Sequence, residues 1–271
     1  MLPFINLGFI KIPLYGLMIV IGILSGAAIC KKLCAVQNIN FYDFIIISAV
    51  AGGIGFAGAK LFFLVDYYTP ALFFKALGYM LTHPKTSGLM SGGFVFYGGL
   101  IGGIAGYFLG IKIAKTDVCT FLNTFAFVIP YIHAFGRIGC FCAGCCYGIE
   151  YTGPFSAGGR FPVQLLEAFL LFAFAFVILI FIINRARHVN QPRHLNQPRH
   201  AELVSASPTL FLCYVVYYSI VRFFLEFIRA DDIRGQVAFG SSVQLSISQV
   251  VSLILLTGAV VILIVTGRKR R

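Results

Sequence analysis

The run "VQLLEAFLLFAFAFVILIFII", residues 163 to 183, contains one charged side chain, Glu167, and one other polar side chain, Gln164, in an otherwise apolar stretch. A helix needs about 20 mostly apolar residues to cross roughly 30 Å of hydrocarbon, and this run reaches that length without a break. Six further stretches qualify, near residues 12 to 30, 43 to 65, 92 to 111, 117 to 138, 208 to 229 and 245 to 267. The composition agrees: 59% hydrophobic and 11% charged residues, with a mean hydropathy of +0.91, lie outside the range of a water-soluble domain. The expected fold class is an all-α integral membrane protein, a bundle of seven transmembrane helices in a single polytopic domain over residues 1 to 271. The first stretch lacks the basic start of a secretory signal, and "AAICKK" puts Ile29 where a cleavage site wants a small residue, so it is read as a permanent helix.

Charge orients the bundle. With the N-terminus outside, the inner connections hold Lys31 and Lys32, Lys112 and Lys115, Arg185, Arg187, Arg193 and Arg199, and the terminal "RKRR", more than half of the 21 Lys and Arg. The outer loops hold Lys11, Lys75, Lys85, Arg160 and Arg234. This asymmetry fits the positive-inside rule for seven spans with a cytoplasmic C-terminus. The net charge of +12 then reflects topology and contact with anionic lipid, and no nucleic-acid partner is expected.

Two regions fall outside the core bundle. Residues 187 to 200 read "RHVNQPRHLNQPRH", a period-six repeat followed by "AELVSAS", and this composition predicts a disordered insert over 187 to 207 in a cytoplasmic loop. Residues 67 to 90 mix aromatic, apolar and Lys residues and read as a segment lying along the outer interface. Within the third span, Gly98, Gly102, Gly106 and Gly110 recur every four residues, with Gly99 and Gly103 beside them, a stripe along which another helix backbone can approach closely.

Ionisable residues inside spans are costly and therefore informative. Lys60, Arg137, Arg222, Glu226 and Arg229 all map to the outer part of their helices; at about 1.5 Å per residue, Arg222 lies roughly 20 Å above the inner end. Tyr15, Tyr97, Gln164, Glu167 and Gln249 map to the same level. Arg222, Glu226 and Arg229, spaced i, i+4, i+7, are expected to share a helix face with the glutamate between two arginines. Arg137 has no acidic partner within a turn of sequence, Gly136 and Gly139 flank it, and Pro130 is placed to kink the helix below it. Arginines in excess of carboxylates ask for an anion, and the guanidinium fork suits a phosphate; at that depth a phospholipid headgroup is the candidate.

Arg137 lies in "GRIGCFCAGCCYG", residues 136 to 148, with four of the eight cysteines. Cys142 and Cys145 form C-x-x-C, with Cys140 and Cys146 adjacent, at the oxidising end of a helix. Beside the plainer readings of a structural disulfide or of small polarizable side chains packed under the headgroup, a membrane thiol oxidoreductase and a cysteine-ligated metal site are therefore alternatives. Against them, no second outer C-x-x-C or paired ligand cluster accompanies the motif, so no metal and no cofactor are expected.

These residues resemble the bacterial prolipoprotein diacylglyceryl transferase family, whose signature runs G-R-x-G-N-F-x-N-x-E-x-x-G; Gly136, Arg137, Gly139, Phe141 and Gly148 stand at its places. "LYGLMIVIGIL" from Leu14, "GGFVFYGGLIGG", "RFPVQLLEA", "RFFLEFIRADD" and "SISQVVS" resemble further family segments in the same order, over roughly residues 5 to 260 apart from the repeat. The resemblance implies a seven-helix inner-membrane enzyme with its active site towards the periplasmic or outer face. It would transfer the diacylglyceryl group of phosphatidylglycerol to the lipobox cysteine of a prolipoprotein signal peptide; the alternative within the resemblance is a related lipid-headgroup transferase with an altered donor or acceptor. By resemblance, Arg137 binds the headgroup, Arg222 stabilises the departing phosphate, and Tyr97 joins them as a catalytic residue. Tyr15, Gly139, Cys140, Gly148, Glu226 and Arg229 are the implied substrate-binding set, with Glu226 and Arg229 holding Arg222. Tyr97, Cys140, Ala143 and Cys145 depart from the family pattern. A tyrosine of pKa about 10 is a poor base near neutral pH, so either neighbouring cations ionise Tyr97 or it donates a hydrogen bond and the base lies elsewhere.

Overall fold

The computed structural model describes residues 3–6, 8, 11–67, 74, 75, 78, 79, 82, 95–189, 209–230, 236–239 and 243–268. Seven helices are long and apolar enough to cross a membrane: α1 Leu14–Val36, α2 Phe41–Tyr67, α3 Phe96–Ala114, α4 Val118–Ala143, α5 Val163–Val189, α6 Thr209–Leu225 and α7 Ile247–Arg268. The all-α seven-span expectation is met. Helix α5 continues through Val189, while residues 190 to 207 of the expected insert and most of 67 to 90 lie outside the described residues. Two antiparallel hairpins, β1 Phe4–Asn6 with β2 Lys11–Pro13 and β3 Gln236–Phe239 with β4 Val243–Ser246, precede α1 and α7. The chain forms two compact units, residues 40 to 118 and the remainder.

The smaller unit is the pair α2 and α3. A Cβ on Gly102 would stand 2.5 Å from the Ile54 carbonyl oxygen, and one on Gly106 2.7 Å from Ala51 Cα. These distances are too short for any side chain, so the four-residue glycine stripe is what lets the two backbones touch. The Val95 amide donates to the Ala59 carbonyl at 3.1 Å and fixes the start of α3. Lys60 is buried in this unit, with Nζ 5.2 Å from the Phe63 ring centroid.

In the larger unit α1 and α4 run antiparallel along their length. Gly22 faces Phe135, Gly26 faces Tyr131, the Tyr131 hydroxyl donates to Ser25 Oγ at 3.2 Å, and Gln37 Nε2 donates to Thr124 Oγ1 at 3.1 Å. Helix α4 runs through Pro130 as one element. Aromatic contacts join α4 to α5 (Phe135 and Phe172, 5.2 Å) and α5 to α6 (Phe174 and Tyr217, 4.6 Å) around buried Ala134, Ala168, Leu171 and Tyr214. Large apolar side chains such as Phe181, Ile254 and Val261 face outward, as a hydrocarbon solvent requires.

Helix α7 opens with a reciprocal cap. The Ser246 amide donates to Gln249 Oε1 at 3.0 Å and the Gln249 amide to Ser246 Oγ at 3.2 Å, a capping box in which each side chain satisfies a backbone donor that the first helical turn leaves over. The "SISQ" segment is thus a helix start that sets the position of Ser248.

Candidate active site

The start of α1, the end of α4, the start of α5, the end of α6 and the start of α7 meet at one end of the larger unit. Glu167, in the second turn of α5 and 0% exposed, is the centre of the group. Its Oε1 lies 3.0 Å from Arg137 Nη2 of α4 and accepts a hydrogen bond from the Tyr218 hydroxyl of α6 at 3.0 Å. His133 Nε2 lies 3.9 Å from Oε1, and Arg229 Nη1 lies 3.9 Å from Oε2. His133 and Arg137 share a face of α4 one turn apart, as Tyr218 and Arg222 do on α6.

A second carboxylate, Glu226, lies 2.7 Å from Arg222 Nη2 and 4.0 Å from Arg229 Nε. Arg222 Nη2 also donates to Ser248 Oγ at 3.1 Å. The expectation that Arg222, Glu226 and Arg229 ride one helical face needs correction. Helix α6 ends at Leu225, Glu226 to Ile228 form a 3-10 turn, and Arg229 is extended. Glu226 does reach both arginines, but the tighter turn swings Arg229 towards Glu167, an acceptor from another helix. Arg137 likewise finds its acidic partner in α5, which local spacing could not show.

The result is three guanidinium groups against two carboxylates, with Arg229 and Glu167 side chains 2% and 0% exposed. Among the described residues, Arg137 Nε and Arg222 Nη1 are buried donors that find no hydrogen-bond acceptor, as Glu167 Oε2 is a buried acceptor that finds no donor. An unpaired buried donor costs about 1–3 kcal/mol, more when charged. Such a group persists where something else accepts from it, and the local surplus of positive charge selects an anion.

Among the other residues expected here, Gly139 is a contact position: a Cβ there would stand 3.1 to 3.2 Å from Tyr15. That close approach lays exposed Tyr15 against α4. A Cβ at Gly136 would meet nothing within 4 Å among the described residues, so no close packing requires glycine there. Gly148 acts through its backbone: it bridges to Arg229, and a side chain would strike the Phe161 and Ile228 carbonyl oxygens at 2.7 and 2.8 Å. Tyr97 is half-buried at the start of α3 in the smaller unit.

The cysteines group differently from the C-x-x-C reading. Cys140, Cys145 and Cys146 have their sulfurs within 4.8 Å of one another, and Cys142 is not part of that group. Burial and the neighbouring Cys146 thiol push the Cys145 thiol above its ordinary range.

His133, Tyr218 and Ser248 were missed as site residues, and Glu167 was placed at the depth of the buried cations without being assigned to the site. A glutamate inside the most apolar stretch of the chain was a signal in itself; the partners of Arg137 and Arg222 lie in other helices and leave no local pattern.

The prolipoprotein diacylglyceryl transferase family model matches residues 3–265. A phosphatidylglycerol–prolipoprotein diacylglyceryl transferase of Clostridium tetani is 30% identical over 90% of this chain and 89% of its own length. Counterparts in Clostridium perfringens and Pasteurella multocida are each 29% identical, over 97% and 98% of this chain and 94% and 93% of their own.

Proposed function

This chain belongs to the prolipoprotein diacylglyceryl transferase family, and from that premise we propose that it transfers the diacylglyceryl group of phosphatidylglycerol to the cysteine thiol of prolipoproteins, the first step of lipoprotein maturation. The observation that carries the reading at the level of residues is the surplus of guanidinium over carboxylate, with Arg137 Nε and Arg222 Nη1 unspent.

In the reaction a cysteine thiolate attacks the glyceryl carbon bearing the phosphate. A C–S bond forms, the C–O bond breaks, and its electron pair leaves on the phosphate oxygen as glycerol phosphate. Negative charge grows on the leaving group, so fixed cations in a dry pocket stabilise the transition state more than the ground state. Arg137 holds the headgroup, with Glu167 fixing Nη2 and leaving Nε to donate. Arg222, clamped by Glu226 and Ser248, presents Nη1 to the departing phosphate. Tyr15 borders the headgroup position.

The thiol proton needs an acceptor. His133, one turn from Arg137 with its side chain 25% exposed, is the imidazole of this cluster, and His133→Gln with a pH–rate profile tests it in that role. Tyr97, a catalytic residue by resemblance, is then not needed as the base.

The charge asymmetry of the loops supports a bacterial inner-membrane location with the N-terminus and active site on the outer face and the C-terminus in the cytoplasm. Signal peptides bearing a lipobox cysteine and the surrounding lipids are its partners.

The test is transfer from labelled phosphatidylglycerol to a lipobox peptide, normalised to enzyme level. Arg137→Ala removes a charge-assisted contact worth about 2–4 kcal/mol, or about 30- to 1000-fold in rate, and Arg137→Lys restores little because the fork is lost. Full activity in either variant rules out this role for Arg137.

A further inference from the structure

The turn that follows α4 is built by backbone contacts. The Gly144 amide donates to the Phe141 carbonyl at 3.2 Å and the Cys145 amide to the Cys140 carbonyl at 3.1 Å, closing the helix end. Gly144 and Cys146 take positive φ, +70° and +61°. Glycine does so freely, whereas a residue with a β-carbon does so at a cost, and here the effect is to fold Cys145 and Cys146 back over Cys140.

The turn is pinned from outside as well. Gln164, 1% exposed, donates from Nε2 to the Cys145 carbonyl at 2.6 Å. The Ile149 amide donates to the Ile228 carbonyl at 3.0 Å and the Ala230 amide to the Tyr147 carbonyl at 3.3 Å. Three thiols therefore converge on a backbone that is held on both sides.

We propose that Cys140, Cys145 and Cys146 form a binding site for one soft, thiophilic d10 cation of the Zn(II), Cd(II) or Cu(I) class. Three sulfurs at about 2.3 Å from such an ion lie about 3.8 Å apart in tetrahedral geometry. The observed triangle, with every edge within 4.8 Å, reaches that by small side-chain rotations. A disulfide would employ two of the three sulfurs and would not call for all three to converge. Cys145 is exposed and Cys140 and Cys146 are half-buried, so an ion enters from the open side and a fourth position stays available to water.

As each metal–sulfur bond forms, the thiol releases its proton to solvent, and three thiolates around a divalent ion carry one net negative charge. The Arg137 guanidinium interacts electrostatically with Cys140 and Cys145, and the Tyr15 phenol with all three cysteines. A cation thus lies within electrostatic range of the charge that metal binding creates. The metal site adjoins the proposed headgroup position, since Cys140 belongs to the substrate-binding set that the resemblance implies, but it rests on the convergence of the three sulfurs alone and is tested by metal binding without reference to transfer.

The experiment is Cd(II) titration of the full chain, reduced and in detergent. It follows the ultraviolet thiolate-to-metal absorption and counts bound ions by native mass spectrometry. One Cd(II) per chain is expected, with affinity falling more than about 100-fold in Cys140→Ser and Cys146→Ser, beyond the 10- to 100-fold typical of losing a group one layer out. Cys142→Ser should bind as the parent does. In the unsubstituted chain, Cd(II) should shield Cys140, Cys145 and Cys146 but not Cys142 from maleimide, which keeps the test independent of how well the variants fold. The proposal is overturned by absent stoichiometric binding, by equal loss in Cys142→Ser, or by a disulfide among the three in protein alkylated before lysis.

Discussion

Replacing Glu167 by Gln keeps the volume of the side chain and removes the charge on which Arg137, Arg229 and the Tyr218 hydroxyl converge. At about 4 Å between charge centres and an effective dielectric near 20, one such pair is worth roughly 4 kcal/mol before desolvation. Removing one member of a buried pair costs about 3–5 kcal/mol because the other charge is stranded. Glu167 has two guanidinium partners, so Glu167→Gln belongs at the upper end of that range. Arg137→Gln should cost less, because Arg229 and Tyr218 still face the carboxylate. If the pair acts as a unit, the double variant is less destabilised than the sum of the singles, by about 1–3 kcal/mol. Unfolding by SDS in mixed micelles, followed by circular dichroism, measures all three. Additivity within about 0.5 kcal/mol, or a Glu167→Gln variant as stable as the parent, would refute the central place given to Glu167.

Gly102→Leu puts a side chain where a Cβ alone meets the Ile54 carbonyl oxygen at 2.5 Å; it should separate α2 from α3 and sharply lower the folded yield in membranes, whereas Gly103→Ala, which meets nothing within 4 Å, should leave the yield unchanged. Because the Cys145 thiol is pushed above its ordinary range, its thiolate fraction near neutral pH is small, so maleimide labelling should lag behind a free thiol and catch up only as pH rises; equal rates at neutral pH would contradict this. A reporter active only in the cytoplasm should work when fused at Arg271 and fail when fused between residues 70 and 90, and the opposite pattern would reverse the proposed topology.

The helices could be read from the sequence because the constraint that makes them is local. A bilayer demands internally hydrogen-bonded, apolar stretches, and "VQLLEAFLLFAFAFVILIFII" satisfies that demand without reference to any other part of the chain. The Gly98 to Gly110 stripe was legible for the same reason, as a period along one face. The site was half legible. Arg137 and Arg222 stood out as charges in apolar surroundings, but a charge does not name its partner. Glu167 pairs across helices with Arg137 and Arg229, and that depends on how α4, α5 and α6 pack. The end of α6 at Leu225 escaped the periodic reading because an arginine spacing of i, i+4, i+7 looks the same whether the last turn is α or 3-10. With the cysteines, C-x-x-C drew attention to Cys142, while the left-handed turn at Gly144 and Cys146 gathers Cys140, Cys145 and Cys146 instead.

The central claim is the transfer itself, and the most direct test is product identity with purified protein. Incubated with phosphatidylglycerol labelled in its glyceryl backbone and a lipobox peptide, the protein should yield one thioether-linked diacylglyceryl peptide and one glycerol phosphate per turnover, with no product from a peptide whose cysteine is replaced by serine. An unmodified peptide in the presence of well-folded enzyme, or release of glycerol phosphate without a thioether, would contradict the account.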